Sequence, residues 1–277
     1  MQYYELCCPV PADETQSEII IALLAEAGFE SFDHIGNELK AYIPEFLYGT
    51  HLMPLLASNI LAGITFSLSK VADTNWNQVW ESNYEPVLIE GQCYIKAPFH
   101  ADRNDIAFQL IIEPKMSFGT AHHATTAMMI SYCLAEDLAG KSLLDMGCGT
   151  AVLAILARMR GANPVMAIDN EVWAFENACE NIIRNKTEDI MVLLGDDTLL
   201  EGWKFDVILA NINRNILLND MPAYAACLNS DGILIVSGFY YDDLKQVTRK
   251  AQELGLVFDG FKEQDHWTAA RYIQKDG

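Results

Sequence analysis

The second half of the chain, from residue 127 onward, is a succession of short apolar segments separated by helical patterns. Strands in which every residue is apolar are typical of a sheet that is covered on both faces. Helical crossovers between such strands make them parallel. The sequence therefore predicts a doubly wound α/β domain. The predicted strands are 142–145, 165–169, 190–194, 205–210 and 233–237, and the predicted helices are 127–138, 152–160, 173–185, 220–228 and 242–254.

The last two strand-like segments, 256–262 and 267–273, are joined by a polar turn without a helix. Strands joined by so short a connection pair antiparallel. We therefore expect a mostly parallel sheet of seven strands that ends in an antiparallel hairpin.

The first 70 residues follow the order β-α-β-β-α-β, which is typical of a ferredoxin-like α+β module. Residues 71–86 are interpreted as a linker with a short helix, in which Trp76 and Trp80 lie one turn apart, and residues 87–277 as the second domain. The predicted strands of the first module are 3–8, 29–35, 39–43 and 64–69, and its predicted helices are 15–27 and 49–61.

The chain is strongly acidic, with 38 Asp and Glu against 18 Lys and Arg and a formal charge of −20. Such a charge repels a phosphate backbone and attracts a cationic partner, so direct nucleic-acid binding is not expected. Apolar runs are shorter than the roughly 20 residues that span a bilayer, and the N-terminus lacks the basic region of a secretory signal. We expect a cytoplasmic protein without membrane contact whose seven cysteines are reduced thiols.

A glycine-rich turn, Met146-Gly147-Cys148-Gly149, follows the strand that ends at Asp145 and precedes a helix. Glycines at such a turn let a ligand approach the backbone, and the helix start offers unpaired N–H groups. Asp145 would repel a pyrophosphate, which disfavours a dinucleotide dehydrogenase, and no phosphate-loop Lys-Ser/Thr follows. The turn predicts an adenosine-containing ligand, with Asp145 as a hydrogen-bond acceptor for a cationic amino-acid group.

Polar residues also follow the next three strands. Asp169 stands 24 residues after Asp145, where a carboxylate can accept both hydroxyls of a ribose. Asp196 could receive an adenine amino group, and the neutral amide oxygen of Asn211 could orient an incoming amine. The alternative for each of these residues is an ordinary solvated or turn-forming role.

The segment 117–126, SFGTAHHATT, gathers two histidines, three threonines and a glycine before a helix. Adjacent histidines without a nearby cysteine or carboxylate supply two metal ligands at best, short of the usual three or four. No metal site is therefore expected. A nucleophile with its base and a loop that closes over a cofactor are the remaining interpretations.

The segment 118–126, the turn 145–149, the strand end 167–169 and the segment 210–212 together resemble class I S-adenosylmethionine-dependent methyltransferases. Nearly the whole layout is similar to the bacterial ribosomal protein L11 methyltransferase family. The resemblance implies a Rossmann-like methyltransferase domain behind a small substrate-recognition domain, with S-adenosylmethionine as cofactor and ribosomal protein L11 as substrate. It also implies that segment 117–126 is a loop over the methionine end of the cofactor. The implied cofactor-binding residues are Thr126, Gly147, Gly149, Asp169 and Asn211.

The resemblance implies methylation of the N-terminal α-amine or lysine ε-amines of L11, with Asn211 as the catalytic residue that orients the amine. One alternative is a methyltransferase that acts on another protein or on a small-molecule amine. A second is a binding module with a methyltransferase fold that no longer catalyses methyl transfer. Many family members carry glycine where this chain has Ala121 and Ala151. If either position has a positive φ, alanine adds strain of about 1 kcal/mol.

Overall fold

The computed structural model describes residues 3–9, 14–35, 38–48, 65–70, 84–114, 119 and 121–275. The chain divides into two compact units, one up to residue 83 and one from Tyr84 onward. The predicted helix 49–61 and the segment with Trp76 and Trp80 lie outside the described residues. Within the described ranges, every helix falls short of the length and apolarity that a membrane span demands.

The first unit contains a four-stranded antiparallel sheet in the order β2-β3-β1-β4. Its core packs helix α1 against the sheet through buried side chains that include Leu6, Leu24 and Leu39. This strand order, with the first and third strands in the centre, confirms the ferredoxin-like α+β prediction. The elements are β1 (Tyr3–Pro9), α1 (Glu14–Glu26), β2 (Ser31–Ile35), β3 (Glu38–Pro44), the short helical turn α2 (Glu45–Leu47) and β4 (Ser67–Lys70).

The second unit opens with a three-stranded sheet that the sequence pattern does not predict. Its strands are β5 (Val87–Ile89), β6 (Cys93–Lys96) and β7 (Phe108–Ile111). They are only three or four residues long, which is too short for a periodic pattern to stand out. The sheet is therefore visible only in the structure.

The main sheet of the second unit has seven strands in the order β10-β9-β8-β11-β12-β14-β13. The first five are parallel, and β14 runs antiparallel to both of its neighbours. The doubly wound prediction with its closing hairpin is thus confirmed. The strands are β8 (Leu143–Met146), β9 (Val165–Asp169), β10 (Met191–Leu194), β11 (Phe205–Asn211), β12 (Leu228–Tyr240), β13 (Leu256–Gln264) and β14 (Trp267–Gln274).

Two helices begin earlier than predicted because polar residues cap them. The side chain of His123 accepts the N–H of Thr125, so the helix predicted from 127 begins at Ala124. Asn213 accepts the N–H of Asn215 at 2.9 Å and starts a helix that was predicted from 220. The helices are α3 (Ala124–Ala135), α4 (Val152–Met159), α5 (Val172–Arg184), α6 (Arg214–Cys227) and α7 (Leu244–Glu253).

The main sheet separates two hydrophobic clusters. Successive residues of β8 point to opposite faces, so Leu143 belongs to one cluster and Leu144 to the other. The strand order reverses direction between β8 and β11, which is where ligands bind in open α/β sheets. The carboxyl ends of β8, β9 and β11 meet at that edge.

At the opposite edge of the sheet, Asp206 joins three strands. Its carboxylate accepts hydrogen bonds from the Ser142 backbone N–H (2.8 Å), the Ser142 hydroxyl (2.9 Å) and the Asn229 amide (2.9 Å). Burial opposes its ionisation, but these bonds outweigh burial and hold the pKa of Asp206 below its ordinary value. The charged carboxylate therefore stabilises the amino-terminal ends of β8, β11 and β12.

We expect Asp206→Asn to lower the free energy of unfolding by about 1–3 kcal/mol at pH 7, since hydrogen bonds to a charged group are lost. A depressed pKa gives stability that is present above the unfolded pKa of about 3.9 and is lost as the pH falls below it. Urea unfolding should therefore show a smaller difference between wild type and variant at pH 3 than at pH 7. The exposed Asp231→Asn should change stability by less than about 0.5 kcal/mol at both pH values, and a pH-independent effect of Asp206→Asn would contradict this role.

Candidate active site

The carboxyl ends of β8, β9 and β11 open into a cleft of about 400 Å³. A smaller cavity of about 80 Å³ adjoins it and reaches Asp196. A larger groove of about 930 Å³ between α7 and β13 is lined by none of the predicted site residues. The structure brings together in the cleft the five residues that the family resemblance assigned to the cofactor, namely Thr126, Gly147, Gly149, Asp169 and Asn211. Asp145 lines the same cleft, whereas Asp196 lines only the adjoining cavity.

The glycine turn after β8 has the backbone that the prediction requires. Gly147 and Gly149 have φ angles of +68° and +53°, in the left-handed region that favours glycine. The N–H groups of Gly147 and Cys148 donate to the Ile168 carbonyl at 2.8 and 3.0 Å, which ties the turn to β9. The turn is thus held open toward the cleft by the neighbouring strand.

Asp145 lies at the end of β8 and is 1% exposed. One carboxylate oxygen accepts the N–H of Ala154, in the first turn of α4, at 3.1 Å. Burial raises the pKa of Asp145 to about 7; the charge of Asp169 adds to this rise and the bond from Ala154 opposes it. A buried carboxylate of this kind gains from a cation beside it, which suits an ammonium group.

Asp169 ends β9, and both of its carboxylate oxygens are fixed by backbone donors. One accepts the N–H of Gly149 at 2.8 Å and the other that of Glu171 at 3.1 Å. Because each oxygen can accept a further hydrogen bond, the carboxylate can still receive two hydroxyls. One oxygen of the Asp196 carboxylate accepts the N–H and hydroxyl of Thr198 in the following 3₁₀ turn. The contact of Asp196 with an adenine amino group stays a prediction.

Asn211 ends β11 with its amide in the cleft. Its Nδ2 donates to the hydroxyl of Thr126 at 3.3 Å. Its Oδ1 is buried and has no hydrogen-bond partner among the described residues. A buried acceptor without a partner costs about 1–3 kcal/mol, so this oxygen is suited to receive a donor from a ligand.

The two histidines of segment 117–126 serve different contacts. His123 caps α3, with its Nδ1 2.8 Å from the Thr125 hydroxyl. The His122 Nε2 lies 2.8 Å from the Glu85 carbonyl oxygen. Residues 124–126 form the first turn of α3, so the predicted loop is shorter than expected because Thr125 and Thr126 belong to a capped helix.

The remainder of that segment is described only in part, since residues 117, 118 and 120 lie outside the described ranges. The Gly119 carbonyl accepts the hydroxyl of Thr150 at 2.8 Å, which joins it to the glycine turn. Ala121 and Ala151 have φ angles of +67° and +60°. Both alanines therefore have the positive φ that strains a residue with a Cβ, at a cost of about 1 kcal/mol or more each.

Sequence reasoning missed several residues that line the cleft, Trp267 and Gly238 among them. The Trp267 ring stands between the rings of Tyr240 and His123, with centroid distances of 4.2 and 4.8 Å. Trp267 reaches the cleft because β14 pairs with β12. The register of that pairing cannot be predicted from residue spacing in the sequence. Gly238 also lines the cleft, and its only signal is a glycine inside a strand-like pattern.

Within the described ranges, no three His, Cys, Asp or Glu side chains gather as they would around a metal ion. The donors and acceptors present fit a different group. Asp145 suits an ammonium, Asp169 suits a ribose diol, the glycine turn leaves room at the backbone, and Asn211 has an unused acceptor. These features match S-adenosylmethionine, and together with the strand order they define a class I S-adenosylmethionine-dependent methyltransferase.

The family model described as Ribosomal protein L11 methyltransferase (PrmA) matches residues 14–275. A relative of that name from Phocaeicola vulgatus is 43% identical over 281 residues, covering 99% of this chain and 100% of its own. One from Porphyromonas gingivalis is 46% identical over 264 residues, covering 94% of this chain and 91% of its own. The chain belongs to the ribosomal protein L11 methyltransferase family.

Solved structures agree with the fold. A ribosomal protein L11 methylase from Lactobacillus delbrueckii subsp. bulgaricus is 26% identical, with a TM-score of 0.65 over 70% of this chain and 100% of its own. A precorrin-6y C5,15-methyltransferase from Geobacter metallireducens is 13% identical, with a TM-score of 0.50 over 60% of this chain and 94% of its own. The latter likeness concerns the fold alone.

We expect Asp145→Asn to weaken S-adenosylmethionine binding about tenfold to a hundredfold at pH 8, because a charge-assisted hydrogen bond is lost. Calorimetry should show wild-type affinity falling as the pH drops below about 7, where the carboxyl of Asp145 is protonated, and little pH dependence from this group in the variant. Wild-type affinity retained by the variant at pH 8 would contradict the assignment.

The same substitution should stabilise the ligand-free protein. A carboxyl whose folded pKa is raised gives stability below its unfolded pKa of about 3.9, and that stability is lost as the pH rises through the folded value of about 7. Asp145→Asn should therefore raise the melting temperature relative to wild type at pH 8 and much less at pH 5. The exposed Asp231→Asn serves as the control.

Proposed function

We propose that this protein transfers methyl groups from S-adenosylmethionine to the N-terminal α-amine or lysine ε-amines of ribosomal protein L11. The observation that carries the proposal is the buried Oδ1 of Asn211, which accepts no hydrogen bond from the described residues and lies in the cleft that also holds Asp145 and Asp169. The names of the relatives support the choice of substrate.

The cofactor is proposed to bind along the carboxyl ends of the strands. Asp145 receives its ammonium group, Asp169 its ribose hydroxyls, and Gly147 and Gly149 let it lie close to the backbone. When bound, S-adenosylmethionine supplies a methyl group that its sulfonium charge activates for displacement. The Thr126 hydroxyl lines the same cleft; its oxygen accepts the Asn211 amide N–H at 3.3 Å, and its hydrogen is donated to the cofactor.

The role of Asn211 is to orient the amine without charging it. Its Oδ1 accepts an N–H of the incoming neutral amine and turns the nitrogen lone pair toward the methyl group. A carboxylate in this position would favour the ammonium form, which has no lone pair. Correct alignment of two reactants removes several kcal/mol from a barrier.

The amine must arrive deprotonated, and the cleft helps because a partly buried ammonium has a lowered pKa. An α-amine, with an ordinary pKa near 7.7–8.0, loses its proton more readily than a lysine near 10.4. The N-terminal amine is therefore the acceptor that needs less help from the protein. Trp267 lines the same cleft and keeps part of its wall apolar.

The proposal also gives a role to each domain of the chain. Residues 1–70 form the substrate-recognition domain, 71–86 the linker and 87–277 the methyltransferase domain. A formal charge of −20 suits a basic protein substrate and disfavours direct contact with nucleic acid. A ribosomal substrate is consistent with an enzyme that works in the cytoplasm.

The test is transfer of labelled methyl from S-adenosylmethionine into purified L11, followed by mass mapping. We expect label on the α-amine or on lysines, and a loss of about 100-fold or more in kcat for Asn211→Ala. Calorimetric cofactor affinity of that variant should change much less. Absence of label with cofactor binding intact would reject L11 as substrate and direct the search to other amines.

We expect Thr126→Ala to weaken cofactor binding about threefold to tenfold, since the Thr126 hydroxyl lines the cleft and a hydrogen bond from it to the cofactor is worth about 0.5–1.5 kcal/mol. Thr187→Ala removes a similarly buried hydroxyl at the end of α5 and should leave affinity unchanged. Unchanged affinity in Thr126→Ala would remove Thr126 from the proposed site.

A further inference from the structure

The segment 211–213, which joins β11 to α6, lies between two glycines of neighbouring strands. On one side, a Cβ on Gly147 would overlap the Cγ2 of Ile212. On the other, a Cβ on Gly238 would lie 2.7 Å from the carbonyl carbon of Ile212, 3.1 Å from its nitrogen and closer still to its oxygen. The Ile212 peptide therefore lies directly on the α-carbon of Gly238.

The two contacts differ in whether the neighbouring atoms could move away from an added Cβ. The atom over Gly147 is the end of a flexible side chain, which can rotate away. The atoms over Gly238 are backbone, and they cannot move without moving Asn211, the preceding residue. Asn211 also pairs with Ser237 in the β11–β12 ladder, so Gly238 follows the residue beside Asn211.

The backbone at Gly238 is built for this approach. Its φ is +95°, and the pairing of β12 with β14 shifts register between Ser237 and Phe239. A bulge of this kind bends the strand and re-aims what lies next to it. Gly238 thus combines a conformation and a lack of volume that only glycine supplies.

We infer that Gly238 is a positioning residue for methyl transfer. Because it has no side chain, it lets the 211–213 backbone lie close to β12, and this position determines the direction of the Asn211 Oδ1. The Asn211 amide has a single hydrogen bond, at 3.3 Å, and its Oδ1 has none among the described residues, so the backbone determines where it points. The inference rests on the proposed role of Asn211. A misplacement of about 1 Å costs roughly 100-fold in rate.

The test compares Gly238→Ala with Gly260→Ala. Gly260 has φ +125° and also follows a register shift, between β13 and β14, but a Cβ there meets no atom of the described residues within 4 Å. Both substitutions add backbone strain, and only the first displaces the 211–213 segment. We expect Gly238→Ala to lower kcat about 100-fold while cofactor affinity by calorimetry stays within a few-fold, and Gly260→Ala to change neither. Equal losses of kcat in the two variants would overturn the inference.

A double-mutant cycle with Asn211→Ala separates positioning from a general structural role. If Gly238 acts through Asn211, Gly238→Ala should cause little further loss of kcat in the Asn211→Ala background. A second loss of similar size would overturn the inference. Wild-type kcat in Asn211→Ala would instead reject the proposed role of Asn211, whereas wild-type kcat in Gly238→Ala alone would reject only the inference.

A readout without turnover is the side-chain amide signal of Asn211 in nitrogen-correlated NMR spectra, assigned by its absence in Asn211→Ala. It should shift in Gly238→Ala and stay in place in Gly260→Ala; an unmoved signal in Gly238→Ala would contradict the inference. If Gly238→Ala does not fold, Ile212→Ala gives the segment room toward Gly147. The pair Ile212→Ala and Ile212→Ala/Gly238→Ala then provides the same comparison.

Discussion

Parallel pairing of β8 with both β9 and β11 is the constraint on which the site depends. It aligns the carboxyl ends of three strands, so Asp145, Asp169 and Asn211, far apart in sequence, share one cleft. The turn after β8 is then fastened to β9 through the Ile168 carbonyl. Apolar side chains on both faces hold the sheet together, while the chemistry is confined to residues at its edge.

Much of this arrangement could be predicted from the sequence because buried parallel strands have a distinct composition. Strand 165–169 is found where it was predicted, and the residues at the strand ends follow from strand direction alone. The starts of α3 and α6 were misjudged because His123 and Asn213, which cap them, resemble loop residues in a sequence. The sheet β5–β7 was missed because its strands are too short to show a period.

Other features of the site depend on contacts that sequence spacing does not contain. Trp267 lines the cleft only because the closing hairpin pairs with β12. Gly238 matters because the backbone of a different connection passes over it. At Ala121 and Ala151 the sequence did supply the signal, because many family members have glycine there. The positive φ angles at both positions explain that preference for glycine. The alanine methyl groups are buried, so the protein tolerates a left-handed backbone at both positions for packing that glycine would not give.

The burial of Asp145 has a consequence for how the site is filled. A carboxyl with a pKa near 7 holds a proton part of the time when the cleft is empty. If the cofactor ammonium binds beside Asp145 as proposed, it expels that proton, so loading the empty site is accompanied by proton release. Above pH 7 the carboxylate is increasingly ionised before a ligand arrives, so the number of protons released on loading falls as the pH rises.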